Sequence, residues 1–544
     1  MEENKFFLPL LAAFVICSCS TVKEPVVFES PDYSIEDVRK DEIRKTEELL
    51  EKNNVQALWR ASIIGDQPTI DRCFESVVSS FNSAVEDKSW FVARNLFKSL
   101  KSMDYPSLSS LGKNEAELEK LCMESVPGLS SASSSKNSPA KKVSSYISGT
   151  VTIWVDKGIA IHNGYGYADR VIGSGFFISA DGYIITNNHV IADVVDPKNE
   201  NYTRLFIKLA EDDDTRIPAK VVGWDPVMDL ALLKTEVSAP FVFSLGSSSD
   251  LDVGDKIYAI GSPVGLERTL TSGIVSAVDR KMFSLGSVMQ IDAAVNSGNS
   301  GGPCIDSNGN VQAVVFAGML QYTGLNFAIP VEYLKIELPA LYSGGKLVHS
   351  WIGSFGKTKK NMGKDSGVEV QYVLPGGSAS RSGIKVGDVV TEVDGISVST
   401  IDQLQNALMK TPAKSIIKMK VVRNFDSDEK EERTVPIYLS SRPDNPGLAV
   451  YEGDIIKNAF TPIYGLKLEG TAQGKRQYVI SGVLKGSIGD ESGFSENDYL
   501  EIKNVKFNDE KTAIIAEVYS KNRKKGYLDI NMALPAALDS PYYF

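Results

Sequence analysis

The sequence predicts a multidomain protein with an N-terminal α-helical segment, an all-β region of barrel or sandwich type, and two related α+β modules. Three observations predict it. Apolar residues recur at three- and four-residue spacing from about Glu36 to Met123, the helical period. From Thr150 the pattern becomes alternation, with Gly-rich turns as far as Pro330, the signature of many short strands. From Trp351 onward one block of sequence recurs at an offset of 110 residues. A chain of 544 residues, 42% hydrophobic, holds three or four domains at about 150 residues each.

Composition excludes several functions. Lys+Arg 58 against Asp+Glu 69 gives a net charge of −11, the wrong sign for a chain whose main partner is a phosphate backbone, so no nucleic acid is expected as partner. The three histidines (His162, His189, His349) and five cysteines form no CxxC and no HExxH. No metal site is therefore expected.

Phe6 to Ile16 is an apolar run ending at Cys17-Ser18-Cys19, too short to span a bilayer. It reads as the hydrophobic part of an export signal. Ile16-Cys17-Ser18-Cys19 resembles the relaxed lipobox of bacterial lipoproteins, which implies lipidation of Cys19 and a membrane anchor. An ordinary secretory signal and an uncleaved N-terminus remain open. In an oxidising compartment Cys73 and Cys122 are the one pair within a predicted domain, either bridged or both apolar residues of helices.

The helical segment carries Leu49, Leu50, Leu58 and Trp59, then Trp90, Ala93, Leu96, Phe97 and Leu100 at helical spacing. Ala84 to Phe97 looks like one hairpin of a tetratricopeptide repeat, but no second copy follows at a 34-residue period, and a plain helical bundle is expected. Ser125 to Ser145 is Ser-rich and polar, and reads as a flexible linker.

Three segments of the β region bear chemistry. Gly298-Asn299-Ser300-Gly301-Gly302-Pro303 places a Ser between glycines, where a tight turn converges backbone N–H groups as a nucleophile and its oxyanion hole require. Thr186-Asn187-Asn188-His189 places a His just past a strand. Asp225-Pro226-Val227-Met228-Asp229 leads an acid into the apolar strand Leu230 to Lys234. Singly, each residue has an ordinary structural explanation; together, the order His189, Asp229, Ser300 is that of the chymotrypsin-type triad.

With Gly173-Ser174-Gly175-Phe176, Ala259-Ile260-Gly261-Ser262-Pro263, Thr271-Ser272-Gly273-Ile274 and Asp292-Ala293-Ala294-Val295-Asn296, residues 147–333 resemble the HtrA/Deg family of trypsin-like serine proteases. The resemblance implies a chymotrypsin-like double β-barrel, no cofactor, a homotrimer or multiple of trimers, and endoproteolysis of unfolded or mislocalised envelope proteins. By position it makes His189, Asp229 and Ser300 catalytic and gives the oxyanion hole to the N–H groups of Gly298 and Ser300. It lines the primary specificity pocket with Val295, Met319 and Leu325, uncharged, for small or medium aliphatic side chains. Cys304 reads as buried filler, and His162 and His349 as incidental.

Val373-Leu374-Pro375-Gly376-Gly377-Ser378 and Gly387-Asp388-Val389-Val390 recur as Val483-Leu484-Lys485-Gly486-Ser487-Ile488 and Asn497-Asp498-Tyr499-Leu500. Asn in place of Gly387 suits a position of positive φ. The first copy resembles a PDZ domain, which implies that hydrophobic C-terminal peptides add as a strand, with Ile352-Gly353-Ser354 as the carboxylate loop. In the second copy the equivalent loop falls at Tyr464-Gly465-Leu466, and the module is either a peptide binder or purely structural. Pro541-Tyr542-Tyr543-Phe544 reads as a frayed tail or final strand, the alternative being that it docks into a neighbouring PDZ groove and restrains the enzyme.

The expected organisation is a signal peptide of lipoprotein type (1–18), a tether (19–35), a helical domain (36–124), a Ser-rich linker (125–146), a protease domain (147–345), a first PDZ domain (350–441) and a PDZ-like domain (447–540). The expected function is a periplasmic, lipid-anchored serine endopeptidase acting on unfolded proteins or peptides. The alternative is an inactive peptide-binding chaperone or scaffold.

Overall fold

Capping side chains set three of the helix starts of the N-terminal segment. The computed structural model describes residues 35–129, 143–199, 202–210, 215–262, 269–282, 284–318, 325–471, 476–522 and 528–544. Five helices come first: α1 (Ile35–Leu50), α2 (Asn54–Ile64), α3 (Gln67–Glu86), α4 (Trp90–Ser102) and α5 (Glu115–Ser125). Asn53, Asp66 and Asn114 each accept the backbone N–H three residues on, satisfying donors that a helix start leaves open. Gly65, at φ +72°, ends α2 in the left-handed region.

Trp59 is buried beneath this bundle, and its indole N–H reaches the Pro436 carbonyl at 3.2 Å and Ser382 Oγ at 3.3 Å. The bundle thus shares a core with the first C-terminal module. Cys73 and Cys122 are free and buried; burial pushes the Cys73 thiol up to about 11. The expected linker is tied at both described ends, since Val126, Leu129 and Tyr146 pack into the protease core. Residues 1–34, with the expected signal and Cys19, lie outside the described residues, as do residues 130–142. No helix of the described residues is long and apolar enough to cross a membrane.

The β region forms two six-stranded closed barrels, the double barrel that the family resemblance implied. After α6 (Val143–Ser148), the first contains β1 (Thr150–His162), β2 (Tyr165–Phe177), β3 (Tyr183–Thr186), β4 (Arg204–Lys208), β5 (Ile217–Asp225) and β6 (Leu230–Thr235), with α7 (Asn188–Val195) between β3 and β4. Its order is β5-β4-β1-β2-β3-β6, closed by pairing of β5 with β6. The second contains β7 (Lys256–Gly261), β8 (Thr269–Arg280), β9 (Val288–Ile291), β10 (Pro303–Ile305), β11 (Val311–Gly318) and β12 (Asn326–Pro330), in the order β10-β11-β12-β9-β8-β7. Cys304 is fully buried here, its thiol pushed up to about 12 by burial, which suits filler. Helix α8 (Val331–Ser343) and the short β13 (Gly345–Lys346), parallel to β5, lead out of the barrels.

The first module follows β14 (Ser350–Trp351). It comprises β15 (Ser354–Asn361), β16 (Lys364–Val373), α9 (Ser378–Arg381), β17 (Val389–Val393), β18 (Ile396–Ser397), α10 (Ile401–Met409), β19 (Ile416–Arg423) and β20 (Glu431–Tyr438), and β21 (Ser440–Ser441) pairs back with β14. Strand β15 is an edge of the sheet β15-β16-β17-β19-β20. The second module has α11 (Pro446–Gly453), α12 (Ile456–Tyr464), β22 (Leu466–Gly470), β23 (Gln477–Val483), α13 (Ile488–Glu491), β24 (Tyr499–Phe507), β25 (Ala513–Asn522) and β26 (Leu528–Ala537).

The repeat is structural as well as textual. Gly387 and Asn497 both have positive φ, +93° and +66°, as the Gly-to-Asn replacement predicted. Leu374 N–H donates to the Gly353 carbonyl and Leu484 N–H to the Gly465 carbonyl, each at 2.8 Å. Tyr464-Gly465-Leu466 therefore occupies the turn equivalent to Ile352-Gly353-Ser354. The short strand β18 and one helix are not repeated. Helix α10 stands between β17 and β19, whereas between β24 and β25 residues 508–512 form only a turn. The second module has the sheet without the helix that would wall a peptide groove.

Candidate active site

The pairing of β3 with β6 fixes the first half of the site. Thr186 lies opposite Ala231, so the residues just beyond, Asn187 to His189 and Asp229, meet at one corner of the first barrel. Asp229 occupies the left-handed region at φ +54°, uncommon for a residue with a Cβ and a form of strain that gathers at functional sites. Three hydrogen bonds hold it there: Asn187 Nδ2 to the Asp229 carbonyl at 2.8 Å, His189 N–H to Asp229 Oδ1 at 2.8 Å, and His189 Nδ1 to Asp229 Oδ2 at 2.7 Å. The carboxylate is thus aligned on both the backbone and the ring of His189. The His189 side chain is 48% exposed and that of Asp229 12%, so the ring is far more open to solvent than the carboxylate that holds it.

Ser300 lies on the tight turn leading into β10. Gly301, at φ +85°, has no room for a side chain: a Cβ would lie 2.2 Å from the Ser174 carbonyl oxygen and 3.0 Å from Asn187 N. That close approach places the serine turn against the strand end that bears His189. Ser174 ties the two barrels together, its N–H donating to the Ser300 carbonyl at 2.7 Å and its Oγ to the Gly298 carbonyl at 2.6 Å. Ser300 Oγ itself donates to the Phe316 carbonyl at 3.2 Å. Phe316 lies at a register shift of β11 between Val315 and Ala317, and such a bulge re-aims the backbone. No hydrogen bond joins Ser300 to His189 among the described residues.

The turn's N–H groups divide cleanly. Asn299 donates to the Asn296 carbonyl, Gly301 to that of Val315 and Gly302 to that of Asn299, at 3.0, 2.7 and 3.0 Å. Gly298 and Ser300 donate to no described residue. These are the two groups that the family resemblance assigned to an oxyanion hole. Of the specificity-pocket residues, Val295 packs in the core of the second barrel and Leu325 is half-buried. Met319 lies outside the described residues. Ser174, Asn187 and Phe316 carry no catalytic signal in the sequence, although Ser174 stands between Gly173 and Gly175.

His349 is not incidental. It is buried, and its Nε2 lies 2.8 Å from Oδ2 of the fully buried Asp225 at the end of β5. Burial alone would push up the Asp225 carboxyl, but the charge of His349 and its hydrogen bond hold it below the ordinary 3.8. Glu337 of α8 faces the pair, and neither of its oxygens has a hydrogen-bond partner among the described residues. Burial, reinforced by the charge of Asp225, pushes its carboxyl well above 4.5. A carboxyl raised in the folded state favours folding below its ordinary value, and this contribution is lost as pH rises through the folded value. Glu337→Gln, which cannot ionise, is therefore expected to stabilise the chain at pH 7 by on the order of 1 kcal/mol, checked by denaturant unfolding at pH 5 and pH 7, with the larger gain at pH 7.

Four segments of the chain match known domain families. Residues 173–314 match the trypsin-like peptidase domain, 349–422 the PDZ domain, 447–538 the TP0546 family PDZ domain, and 37–122 a domain of unknown function. A double-barrel, trypsin-like peptidase domain followed by PDZ domains defines the class. That order of domains is the one found in HtrA/Deg serine proteases, which the chain resembles. Proteins named "Probable periplasmic serine endoprotease DegP-like" from Halomonas elongata and Chlamydia trachomatis are 35% and 31% identical over 299 and 334 residues. These alignments cover 52% and 59% of this chain and 59% and 64% of those proteins. The chain thus spans little more than half the length of such relatives. Among solved structures, the HtrA-type protease AlgW with decapeptide is 26% identical, covering 55% of this chain and 98% of that one at a TM-score of 0.45.

Proposed function

We propose that the chain is a serine endopeptidase of the periplasm, with Ser300 as nucleophile, His189 as general base and then acid, and Asp229 as the group that fixes the imidazole. The observation that carries this reading is the doubly hydrogen-bonded His189–Asp229 pair, set beside a serine turn whose Gly298 and Ser300 N–H groups have no described partner. Ser300 Oγ leaves the Phe316 carbonyl for His189 Nε2 when substrate enters, attacks the peptide carbonyl, and passes its proton to His189. The imidazolium, stabilised by Asp229, then protonates the leaving amine, and water repeats the sequence on the acyl-enzyme. The Gly298 and Ser300 N–H groups hold the oxyanion, each worth about 10²–10³ in rate.

Unfolded envelope proteins and peptides are the proposed substrates, and the first PDZ domain the proposed peptide-binding module. The domain limits stated from the sequence, a homotrimeric assembly or a multiple of it, and attachment to a membrane through a lipid on Cys19 belong to the same reading. So does a primary pocket formed by Val295, Met319 and Leu325. An uncharged pocket favours aliphatic residues over Arg or Lys by roughly tenfold or more. Mass spectrometry of the fragments released from unfolded casein at neutral pH tests activity and pocket together. Cuts after Val and Ala support the reading, cuts concentrated after Arg and Lys contradict the pocket, and intact casein contradicts the enzyme.

A further inference from the structure

The second module ends in a segment that reaches into the first. Beyond β26, Gly447 N–H donates to the Leu538 carbonyl at 2.7 Å, and Leu538 N–H to that of Thr512 at 2.9 Å. Asp539 then pairs with the buried Arg442 through two hydrogen bonds, at 2.5 and 3.2 Å. From that anchor the chain runs alongside β15. Ser354 and Phe544 exchange N–H donations to each other's carbonyls, both at 2.9 Å, and Gly356 N–H donates to the Tyr542 carbonyl at 3.1 Å. Phe355 faces Tyr543 in the antiparallel bridge between them. The segment is an added antiparallel strand on the free edge of the sheet.

Its side chains fit as a ligand's do. Phe544 is 2% exposed and shares a hydrophobic cluster with Ile352, Leu404 and Leu408, so it fills the space between the edge strand and α10. Gln405 of that helix donates to the Pro541 carbonyl. Tyr542 lies under the Lys357 ammonium, 4.9 Å from the ring centre. Tyr543, also 2% exposed, turns the other way and packs against Phe355 in the core shared by the two modules.

We propose that the ligand of the first PDZ groove is this chain's own segment Pro541–Phe544, delivered by the second module. An external peptide must then displace it. The second module, without a counterpart of α10, is an arm and not a second receptor. The groove selects an aromatic side chain at the place of Phe544 and another, two residues earlier, at the place of Tyr542, where Lys357 meets the ring. Self-occupancy weakens apparent affinity for an added peptide by the fraction of time the groove is vacant. This inference rests on the first module being a peptide receptor.

The test uses the full chain, a variant lacking residues 541–544, and the point variant Phe544→Asp, which keeps Tyr543 in the shared core. The probe is a fluorescein-labelled peptide of sequence DSPYYF, followed by anisotropy, with amide exchange read over residues 352–360. Both variants are expected to bind the probe at least tenfold more tightly than the intact chain. Exchange at Ser354 and Gly356 should be slow in the intact chain, fast in the variants, and slow again when peptide is added. Equal affinity in all three, with unchanged exchange, overturns self-occupancy and leaves the receptor reading standing. Variants that bind no peptide overturn both.

Discussion

Ser300→Ala is expected to lower kcat on casein or a peptide substrate by roughly 10⁵–10⁶ while leaving KM within a few-fold. In the proposed mechanism the hydroxyl is the bond-forming group, and no other described side chain takes its place on the turn. The Gly298 and Ser300 N–H groups survive the substitution, because alanine keeps its backbone, and the turn itself is held by glycine conformations and by Ser174. Residual activity above the uncatalysed rate therefore reports the oxyanion site and substrate positioning alone. In the folded resting state the substitution removes one hydrogen bond, from Ser300 Oγ to the Phe316 carbonyl, so stability should change by about 1 kcal/mol or less. A loss of kcat with an unchanged unfolding transition separates chemistry from folding. Equal degradation by both proteins would point to a contaminating protease.

Asp229→Asn is expected to lower kcat by roughly 10³–10⁴. The carboxylate accepts from two donors of His189, backbone N–H at one oxygen and Nδ1 at the other. An amide has one acceptor and one donor end. If its oxygen keeps the backbone N–H, its NH₂ faces Nδ1, which must then be unprotonated. The proton moves to Nε2, where the base should receive the hydroxyl, and the imidazolium loses its counter-charge. Because the shape is kept, KM should move little. The loss should lie in kcat, measured at saturating substrate, and be smaller than that of Ser300→Ala. A loss below tenfold would mean that Asp229 only packs against the ring.

Much of this site was legible because its chemistry depends on residue type in a fixed order. The His189, Asp229 and Ser300 motifs lie far apart in the chain, and it is the pairing of β3 with β6 that brings the first two together. The positive φ at Gly387 and Asn497 was readable for the same reason, since few residue types tolerate it. What could not be read depends on contacts between distant segments. Trp59 belonged to a helical pattern, but nothing local marked Pro436 as its partner. The Ser-rich stretch gave no sign that Val126 and Leu129 would pack on a barrel. His349 lacked a motif because its partners, Asp225 and Glu337, come from β5 and α8. The carbonyl that holds Ser300 Oγ belongs to a bulge at Phe316, and backbone carbonyls carry no sequence signal. The second module is different: only five residues separate β24 from β25, too few for a groove helix, and the repeat's shared motifs masked that shortening.

The proposed hydrolysis depends on Ser300 being made nucleophilic by His189, which a fluorophosphonate probe reports without any assumption about substrate. Incubated with the full chain at neutral pH and followed by peptide mapping, the probe should form a single adduct, on Ser300, and the adduct should vanish in His189→Ala. An adduct on another serine, or labelling of Ser300 at the same rate without the imidazole, would contradict it.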